Sequence, residues 1–509
     1  MKYCPYITDL HLNLHPEQMP DLARWYAHCK KVEDFFTLAY YPYAVKHYPG
    51  GFATEEEIDR AAYQAQWEEI CRFLQEQNKQ DGFISFPGFE WQGTGEDGDH
   101  NVYFKGYGEP IELPSRYAAL VEAYQGRPAI GIPHHLAYRA GNRGKNWETH
   151  NETFSPVVEI YSHHGSSERD DTAIPMQRHI HMGPRVQQSS VVSGLKQGYH
   201  MGFIASGDNH EVPAMVKNGR ACVWADAYSR DALWEALQAR RVGGFTEAKL
   251  LVWTECDGSP MGSVVKTAEK QVTLHTVIQA NAKIERIELY RNGDLAEIRM
   301  VQPKALPETF RFKFRIEMGW GPNVKYFPTC TERLWQGTLT TTGKIRSVEP
   351  IYSSFENDWK TESETCVSFQ AKSRKNNASH WMRGETMHTE GFIFELEGTL
   401  DSTVTLSVNG LEKQCTVRQL LEGSSLLVFE QEAKDLIEKT AGISSSYRTD
   451  CWYHHAYKVK LYQAYAQDLY ETETDFVLEP TAEETSYFVK AVQADGQTGW
   501  GSPIWVQKA

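Results

Sequence analysis

Histidine and carboxylate side chains that could hold a metal ion are concentrated in the first 210 residues, which contain 14 of the 19 histidines. Most of them directly follow short apolar runs that are typical of strands. The runs and the polar residues after them are 3–10 before His11 and His15, 82–89 before Glu90, 129–133 before His134 and His135, 157–161 before His163 and His164, and 201–205 before Asp208 and His210. In a barrel of parallel strands the carboxyl ends meet on one face, so the pattern predicts one site. Mixed imidazoles and carboxylates favour Zn, Mn or Fe over Mg or Ca.

Five residues form the core of the predicted metal site, namely His11, Glu90, His134, Asp208 and His210. Glu90 lies between aromatic residues after a strand. Burying a carboxylate without a partner is costly, so a metal or an arginine must lie beside it. Asp208 and His210 form an Asp-x-His pair after a strand, which is a compact donor of two ligands. For the histidines after the first strand, the alternative is a surface loop whose imidazoles only form hydrogen bonds.

Two further histidines are candidate metal ligands. His15 lies four residues after His11, and both can turn inward from a loop. His100 follows the glycine-rich stretch 93–98, which matches the dinucleotide-binding fingerprint Gly-x-Gly-x-x-Gly. That fingerprint needs a following helix, whereas the strand-like segment 101–104 follows here and the acidic residues of the stretch would repel phosphate. The stretch is therefore predicted to be a turn with His100 at its end.

Adjacent histidines in an extended chain point to opposite sides of the strand. We therefore assign His134 to the metal and His135 to substrate contact or proton transfer. In the second pair we prefer His164, which together with His135 is a candidate for moving a proton to the leaving group. Glu159, within the strand before that pair, could orient a histidine ligand by accepting its second N–H.

Arg139, Arg143 and Lys145 follow the first histidine pair on a glycine-rich loop. Either these residues are solvated loop charges, or Arg139 and Arg143 clamp an anionic substrate or the negative charge of a transition state. The sequence contains no Gly-x-Ser-x-Gly motif and no convincing context for a cysteine nucleophile. Both absences favour a metal-activated water over a side-chain nucleophile.

The composition narrows the classes of partner. A net charge of −15 with no basic stripe excludes nucleic acid, so a small-molecule substrate is expected. With 41% hydrophobic residues and no apolar run near the roughly 20 residues of a membrane span, we expect a globular protein with no membrane partner. The sequence starts without a signal-peptide core and its nine cysteines include no Cys-x-x-Cys pair, which predicts a reducing cytoplasm. The oligomeric state stays unknown from the sequence.

The pattern of elements changes near residue 245. Strand and helix patterns alternate before it, including a helix predicted from the capping box of Thr54 and Glu57. Alternating strands with Asn-Gly turns follow it. We predict an α/β domain over 1–245, a β-sandwich over 246–350 and a second β-rich region over 351–509, which the sequence leaves open as part of the same sandwich.

Taken together and in this order, these motifs resemble the PHP (polymerase and histidinol phosphatase) superfamily, in the branch that contains aryl carbamate hydrolases and many uncharacterised proteins. The similarity covers most of residues 1–265. It rests on Phe-Pro-Gly-Phe-Glu-Trp, Pro-His-His, Val-Glu-Ile-Tyr-Ser-His-His-Gly-Ser-Ser-Glu, Ser-Gly-Asp-Asn-His and the helix Ala-Leu-Trp-Glu-Ala-Leu-Gln-Ala-Arg-Arg. The resemblance implies an α/β fold with a distorted (βα)7 TIM-like barrel that carries two or three metals, here followed by the C-terminal β-sandwich.

Two positions depart from the pattern of the superfamily. Its opening His-x-His has Asn13 as the second member here, so that ligand becomes Asn13 or is replaced by His15. Where the superfamily carries Asp-His after its second strand, this chain has Tyr40 and Tyr41. The departures imply one or two divalent ions, Mn, Zn or Fe, in place of three.

These observations predict a metal-dependent hydrolase that uses a metal-activated water on a small ester, carbamate or phosphoester substrate. A phosphoesterase of small phosphorylated metabolites would use the same site. A different class is a degenerate, non-catalytic protein that binds a metal, or that binds carbohydrate through its aromatic-rich sandwich, because fold does not fix function.

Overall fold

The structure is a computed structural model of the 509-residue chain, and it describes residues 2–50, 52–174, 183, 185–210, 219–324, 326–351, 355–374, 389–444 and 451–509. These residues form two compact units. The first contains Met1–Ala280, Ile284–Val301 and Thr472–Ala509, and the second contains Asn281–Lys283 and Gln302–Glu471. In sequence, the second unit is therefore an insertion into the first. Within the described ranges, every helix is too short or too polar to cross a membrane.

A five-stranded sheet carries several of the predicted strand ends. Phe36–Tyr40 pairs in parallel with Asn13–Leu14 on one side and with Ser85–Trp91 on the other. His100–Phe104 and Ala129–Pro133 then continue the sheet in antiparallel pairing. Every residue of Phe36–Tyr40 and of Ser85–Trp91 is buried, as expected for strands that are covered on both faces.

A three-stranded sheet holds the next two strand ends. Val157–Ser162 pairs in parallel with Gly202–Ala205 and antiparallel with Gly165–Ser166. The strand Cys4–Thr8 forms in the first apolar run. Together with the strands described above, it confirms that the apolar runs near the candidate ligands form strands. His134, His135, His163, His164, Asp208 and His210 therefore follow strand ends, whereas Glu90 lies within Ser85–Trp91, one residue before its end.

A nine-stranded sheet joins both ends of the chain. Its strands are Cys4–Thr8, Arg220–Ala225, Val242–Phe245, Thr498–Gly501, Thr485–Gln493, Ile284–Arg291 and Asp294–Met300, with Val264–Thr267 and Ile504–Lys508 off this path. Gly244 lets this sheet approach the three-stranded one closely, because a Cβ there would lie 2.3 Å from the backbone nitrogen of Ala205. The last strands of the chain therefore complete the layer on which the N-terminal strands rest.

Two smaller groups of strands complete the first unit. They are the hairpin Tyr43–Tyr48 with Phe52–Glu57, and the sheet of Ser259–Pro260, Leu250–Cys256, Val272–Ala280 and Glu471–Leu478. The α-helices are Leu22–Val32, Arg60–Asp81, Tyr117–Ala123, Val191–Lys196 and Arg230–Gln238. The helix predicted from Thr54 begins instead at Arg60, because Thr54 lies in the hairpin. The Asp59 carboxylate caps this helix by accepting hydrogen bonds from the N–H groups of Ala61 and Ala62.

The second unit is a β-sandwich. One sheet contains Lys344–Pro350, Glu390–Gly398, Phe310–Trp320, Tyr457–Leu461, Ser425–Val428 and Tyr465–Ala466, and the other contains Asp358–Ser363, Cys366–Arg374, Glu332–Thr341, Thr403–Val408 and Leu411–Thr416. Inward side chains of both sheets, such as Phe312, Trp335 and Phe392, share one buried core. The helices of this unit are Val417–Glu422, Glu430–Ala441, Cys451–His455 and Gln467–Tyr470.

The predicted (βα)7 TIM-like barrel is not what the structure shows, because the fold is mixed α/β and mostly sheet. His100–Phe104 is antiparallel to both of its neighbours, and Ala129–Pro133 and Val157–Ser162 belong to different sheets. Among the described residues, the hydrogen-bonded strands therefore do not close into a ring of parallel strands. The predicted domain boundaries at 245 and 350 remain predictions, whereas the compact units divide the chain around Asn281–Lys283 and at Gln302 and Thr472.

Candidate metal centre

His11 is held in one orientation by two carboxylates. The Asp9 carboxylate fixes the loop, since its Oδ1 accepts hydrogen bonds from the backbone N–H of His11 at 2.9 Å and of Gly207 at 2.8 Å. His11 Nδ1 donates to Glu159 Oε2 at 2.8 Å. Because Nδ1 is engaged by Glu159, the opposite ring nitrogen, Nε2, is the one that could bind a cation.

Glu159 acts on more than one neighbour from its place in Val157–Ser162. Besides His11, it accepts a hydrogen bond from the backbone N–H of His135 at 3.1 Å and one from the Ser206 hydroxyl. The side chain is buried, at 1% exposure. Its two oxygens are thus occupied by three donors, which is the arrangement of an outer carboxylate that fixes a histidine ring.

Three buried side chains converge beside His11 Nε2. This nitrogen lies 3.6 Å from Glu90 Oε2 and 3.4 Å from Asp208 Oδ1. His134 Nε2 lies 3.8 Å from Glu90 Oε1, and the His11 and His134 ring centroids are 4.1 Å apart. The ligand atoms of His11, Glu90 and His134 all lie within 4.8 Å of one another. Residues that follow four different apolar runs therefore meet at one point.

The separations between these atoms fit a metal ion better than hydrogen bonds. Distances of 3.4 to 3.8 Å are too long for hydrogen bonds. His11 Nε2 is buried and has no hydrogen-bond partner among the described residues. Ligand atoms about 2.0–2.3 Å from a tetrahedral ion lie roughly 3.3–3.8 Å from one another. The residues present thus fit a divalent cation that accepts nitrogen and oxygen ligands, such as Zn, Mn or Fe.

A second group of possible ligands shares His134. The ligand atoms of Asp99, His134 and His135 lie within 4.8 Å of one another, and His135 Nε2 is 3.5 Å from Asp99 Oδ2. Asp99 is not among the ligands predicted from the sequence. The antiparallel pairing of His100–Phe104 with Ala129–Pro133 brings Asp99 to the histidine pair. Pairing the apolar segment after the turn with the run before His134 is the signal that would have found it.

Asp208 connects the cluster to three further rings. Its Oδ1 lies 3.2 Å from His210 Nε2 and its Oδ2 lies 2.8 Å from His164 Nε2. His164 Nδ1 is 2.9 Å from the Tyr138 hydroxyl, and His15 Nε2 is 2.7 Å from His210 Nδ1. The His210 side chain is 39% exposed. A chain of imidazoles thus leads from the buried carboxylate to solvent.

The pKa values of the buried residues favour the binding of a cation at this site. Burial would raise the pKa of Asp208, but His11 and His164 outweigh that effect and hold its pKa well below the usual range. Burial lowers the pKa of His134 well below its ordinary value and that of His135 to about 3, so both rings are neutral and can act as ligands. Burial opposes charge on His11, yet the surrounding carboxylates raise its pKa well above the ordinary value. A divalent cation would take the place of that proton.

Arg143 is surrounded by carboxylates, whereas Arg139 is exposed. Arg143 Nε donates to Asp99 Oδ2 and Nη1 donates to Glu55 Oε2 at 3.0 Å. Its Nη2 lies 3.7 Å from Glu90 Oε1. The guanidinium therefore offsets the negative charge of buried acids and ties the Tyr43–Tyr48 hairpin to the cluster.

The structure does not bring His100 into the cluster. The ring is buried, but its Nδ1 donates to the Gly98 carbonyl at 2.8 Å and its face stacks on Tyr117 with centroids 4.4 Å apart. Its Nε2 lies 3.4 Å from the ammonium of the buried Lys145. The hydrogen bond to Gly98 and the stacking on Tyr117 give the residue a packing position.

The residues at the departures from the PHP pattern lie at different distances from the cluster. Asn13 Nδ2 donates to Glu90 Oε2 at 2.8 Å. The Tyr41 hydroxyl accepts a hydrogen bond from Gln92 Nε2 at 2.7 Å and its ring packs 4.5 Å from that of His15. The Tyr40 hydroxyl instead donates to Gln66 at 2.5 Å. Asn13 and Tyr41 thus border the candidate metal centre, and Tyr40 faces elsewhere.

Comparison with known proteins gives relatives without a described function. No family model matches the chain. It is 28% identical over 258 residues to an uncharacterised protein of Chlamydia pneumoniae (45% of this chain, 40% of the relative) and 31% identical over 183 residues to one of Chlamydia trachomatis (33% and 29%). The chain thus spans less than half the length of these relatives. A solved two-domain protein of Bacteroides vulgatus containing a predicted PHP-like metal-dependent phosphoesterase matches 82% of this chain and 96% of its own, with 12% identity and a TM-score of 0.33. That score is too low to establish a shared fold.

Proposed function

We propose that this chain is a metal-dependent hydrolase that acts on a small ester, carbamate or phosphoester. One observation carries the proposal: in a buried site, His11 Nε2 lies 3.6 Å from Glu90 and 3.4 Å from Asp208, and His134 Nε2 lies 3.8 Å from Glu90. His11 Nε2 has no hydrogen-bond partner among the described residues, and a divalent cation between these atoms would supply one.

Two groups of residues would hold the ions. His11, Glu90 and His134, with Asp208 beside them, would hold one ion, and Asp99 with the histidine pair would hold a second. A bound divalent cation lowers the pKa of a water and polarises a carbonyl or phosphoryl oxygen. We propose one or two ions because Tyr40 and Tyr41 supply no carboxylate or imidazole where the superfamily has Asp-His.

The protein's own residues have separate tasks in this proposal. Glu159 fixes the ring of His11. His164, held between Asp208 and the Tyr138 hydroxyl, is positioned to carry a proton to the leaving group. Arg143 is already engaged by carboxylates, so we propose that it balances buried charge. The exposed Arg139 is then the arginine that remains for an anionic substrate.

Metal content and hydrolysis, measured on the same preparations, test this function. We expect the full chain to bind one or two equivalents of Mn, Zn or Fe, and the metal-loaded protein to hydrolyse members of a panel of aryl esters, aryl carbamates and aryl phosphates. Because all three substrate types release the same aryl alcohol, the group that is transferred to water, acyl, carbamoyl or phosphoryl, separates an esterase or carbamate hydrolase from a phosphoesterase.

Asp208→Asn is the informative variant. It should lose at least one metal equivalent, and its rate on the best substrate should fall at least about a hundredfold, since a catalytic ion contributes several kcal/mol. His454→Ala, in the helix Cys451–His455 of the second unit, is the matched control and should keep both properties. Unchanged metal content in Asp208→Asn would contradict the assignment of the site. Metal binding without hydrolysis of any substrate would favour the non-catalytic alternative.

A further inference from the structure

One edge of the nine-stranded sheet in the first unit is open. The strand Asp294–Met300 ends this sheet: it pairs with Ile284–Arg291 on one side, and no strand of the described ranges pairs with it on the other. The strand at the opposite end, Cys4–Thr8, contains Pro5, which lacks a backbone N–H. Asp294–Met300 contains neither proline nor lysine, two residues that commonly protect an edge from pairing. This edge is therefore able to accept another strand.

Large apolar side chains are exposed along this strand. Leu295, Ile298 and Met300 are 48%, 49% and 54% exposed. Ile298 lies opposite Glu288 and Met300 lies opposite Arg286, so the two apolar residues are neighbours on one face of the sheet. Neighbouring apolar side chains on a surface typically mark a site of interaction. The exposed strand thus offers both an unpaired backbone and apolar side chains to a partner.

The backbone of Ile298 points out of the sheet. In antiparallel pairing, the N–H and C=O groups of alternate residues point toward the neighbouring strand. The Val301 N–H donates to the Glu285 carbonyl, which fixes the alternation. Arg299 therefore directs its backbone groups toward Ile284–Arg291, whereas Ile298 directs its own toward the open side. A strand that pairs with this edge would bond to the backbone of Ile298.

The charges of the strand are complementary to those of a second copy. In a two-fold antiparallel pair with its axis at Ile298, Ile298 lies opposite its own copy, Ala296 lies opposite Met300, and Glu297 lies opposite Arg299. Of the axes through a residue of this strand, the one at Ile298 alone opposes Glu297 to Arg299. An axis at Glu297 or at Arg299 would set like charges opposite each other, which is destabilising.

We propose that Asp294–Met300 pairs with the same strand of a second copy of this chain, about a two-fold axis at Ile298. The sheet then continues through both chains, and the apolar side chains of Ile298 and Met300 lie against their counterparts. Because the pairing spans only 296–300, the dimer should be weak, with a Kd on the order of 10 μM.

Sedimentation equilibrium of the full-length protein tests whether the dimer forms. Over a range from about 1 μM to about 200 μM, the mass should rise from that of one chain to that of two. Ile298→Pro removes the outward N–H without removing a hydrogen bond to Ile284–Arg291, and it should raise the Kd at least about tenfold. A single-chain mass throughout the range would overturn the proposal and leave the edge to a different protein. A mass that grows beyond two chains would overturn the two-fold pairing.

Cross-linking through an introduced cysteine tests the register and does not depend on the folding of Ile298→Pro. Ile298→Cys places two thiols on residues whose Cα atoms lie about 5.5 Å apart across the axis, which a disulfide can span. Met300→Cys is the matched control, because it is exposed on the same face but lies roughly 13 Å from its own copy. After mild oxidation, Ile298→Cys should give a covalent dimer, whereas Met300→Cys and the unaltered protein should not. Equal cross-linking of the two variants, or none in Ile298→Cys, would overturn the proposal.

Discussion

Glu159→Gln should weaken metal binding, although Glu159 acts on the metal only through the ring of His11. The carboxylate accepts three hydrogen bonds, from His11 Nδ1, the His135 N–H and the Ser206 hydroxyl. The carboxamide of the variant has one acceptor oxygen and one NH2 group, which can only donate. The NH2 group must therefore face one of the groups that now donate to Glu159. If it faces His11, the ring changes its tautomer and Nε2 carries a proton where a lone pair is needed.

The size of the effect follows from the place of Glu159 behind the ligand. Loss of an outer partner of a metal-ligating histidine typically costs 10- to 100-fold in metal affinity, which is about 1.4 to 2.8 kcal/mol. Solvent does not screen this loss, because both His11 and Glu159 are 1% exposed. We therefore expect the upper part of that range.

Competition with a fluorescent zinc chelator measures the affinity, and elemental analysis measures the number of ions. Glu317→Gln is the matched control: Glu317 is a buried carboxylate in the second unit that accepts hydrogen bonds from Tyr462 and Thr389. Its loss should alter stability without changing metal affinity. The reasoning about Glu159 is refuted if its glutamine variant binds metal within about twofold of the unaltered protein.

Two further predictions follow from buried charges. Arg143→Ala removes the guanidinium from the buried Asp99 and Glu90, and it should lower the free energy of unfolding by about 3–5 kcal/mol. Arg139 is exposed, so Arg139→Ala should change the stability little. Equal Tm values for the two variants would contradict the assignment of Arg143 to these ion pairs. Burial raises the pKa of Glu33 from 4.5 to about 8. Between these two pH values the folded chain holds a proton that the unfolded chain has released. The free energy of unfolding therefore decreases by up to about 1.4 kcal/mol for each unit by which the pH rises. Glu33→Gln removes this pH dependence, so the Tm of the variant should exceed that of the unaltered protein by more at pH 8 than at pH 5. An equal difference in Tm at both pH values would exclude a role for the proton on Glu33.

The strands that support the candidate metal centre could be predicted because their signal is local. Each apolar run is short and forms a strand, and Ser85–Trp91, which ends before Gln92, is buried throughout. The sequence also predicts that His11, Glu90 and His134 lie together, although the strand before His11 belongs to a different sheet from the other two.

Pairing between strands could not be predicted in the same way, because it depends on contacts between distant residues. Nothing in 101–104 indicates that the strand runs antiparallel to both neighbours, yet that direction places Asp99 beside His135. The Thr54 capping box failed for a related reason: the hairpin partner of Phe52–Glu57 competes for the same backbone groups.

The pairing of Val242–Phe245 with Thr498–Gly501 determines the order in which the two units can fold during synthesis. The ribosome must finish the whole inserted sandwich before the strands that complete the first unit exist. The sandwich can fold as soon as Glu471 has emerged, whereas the first unit waits with an open sheet edge exposed. Such an edge invites pairing with other chains, so slow translation after the sandwich should favour aggregation of the nascent chain over its completion.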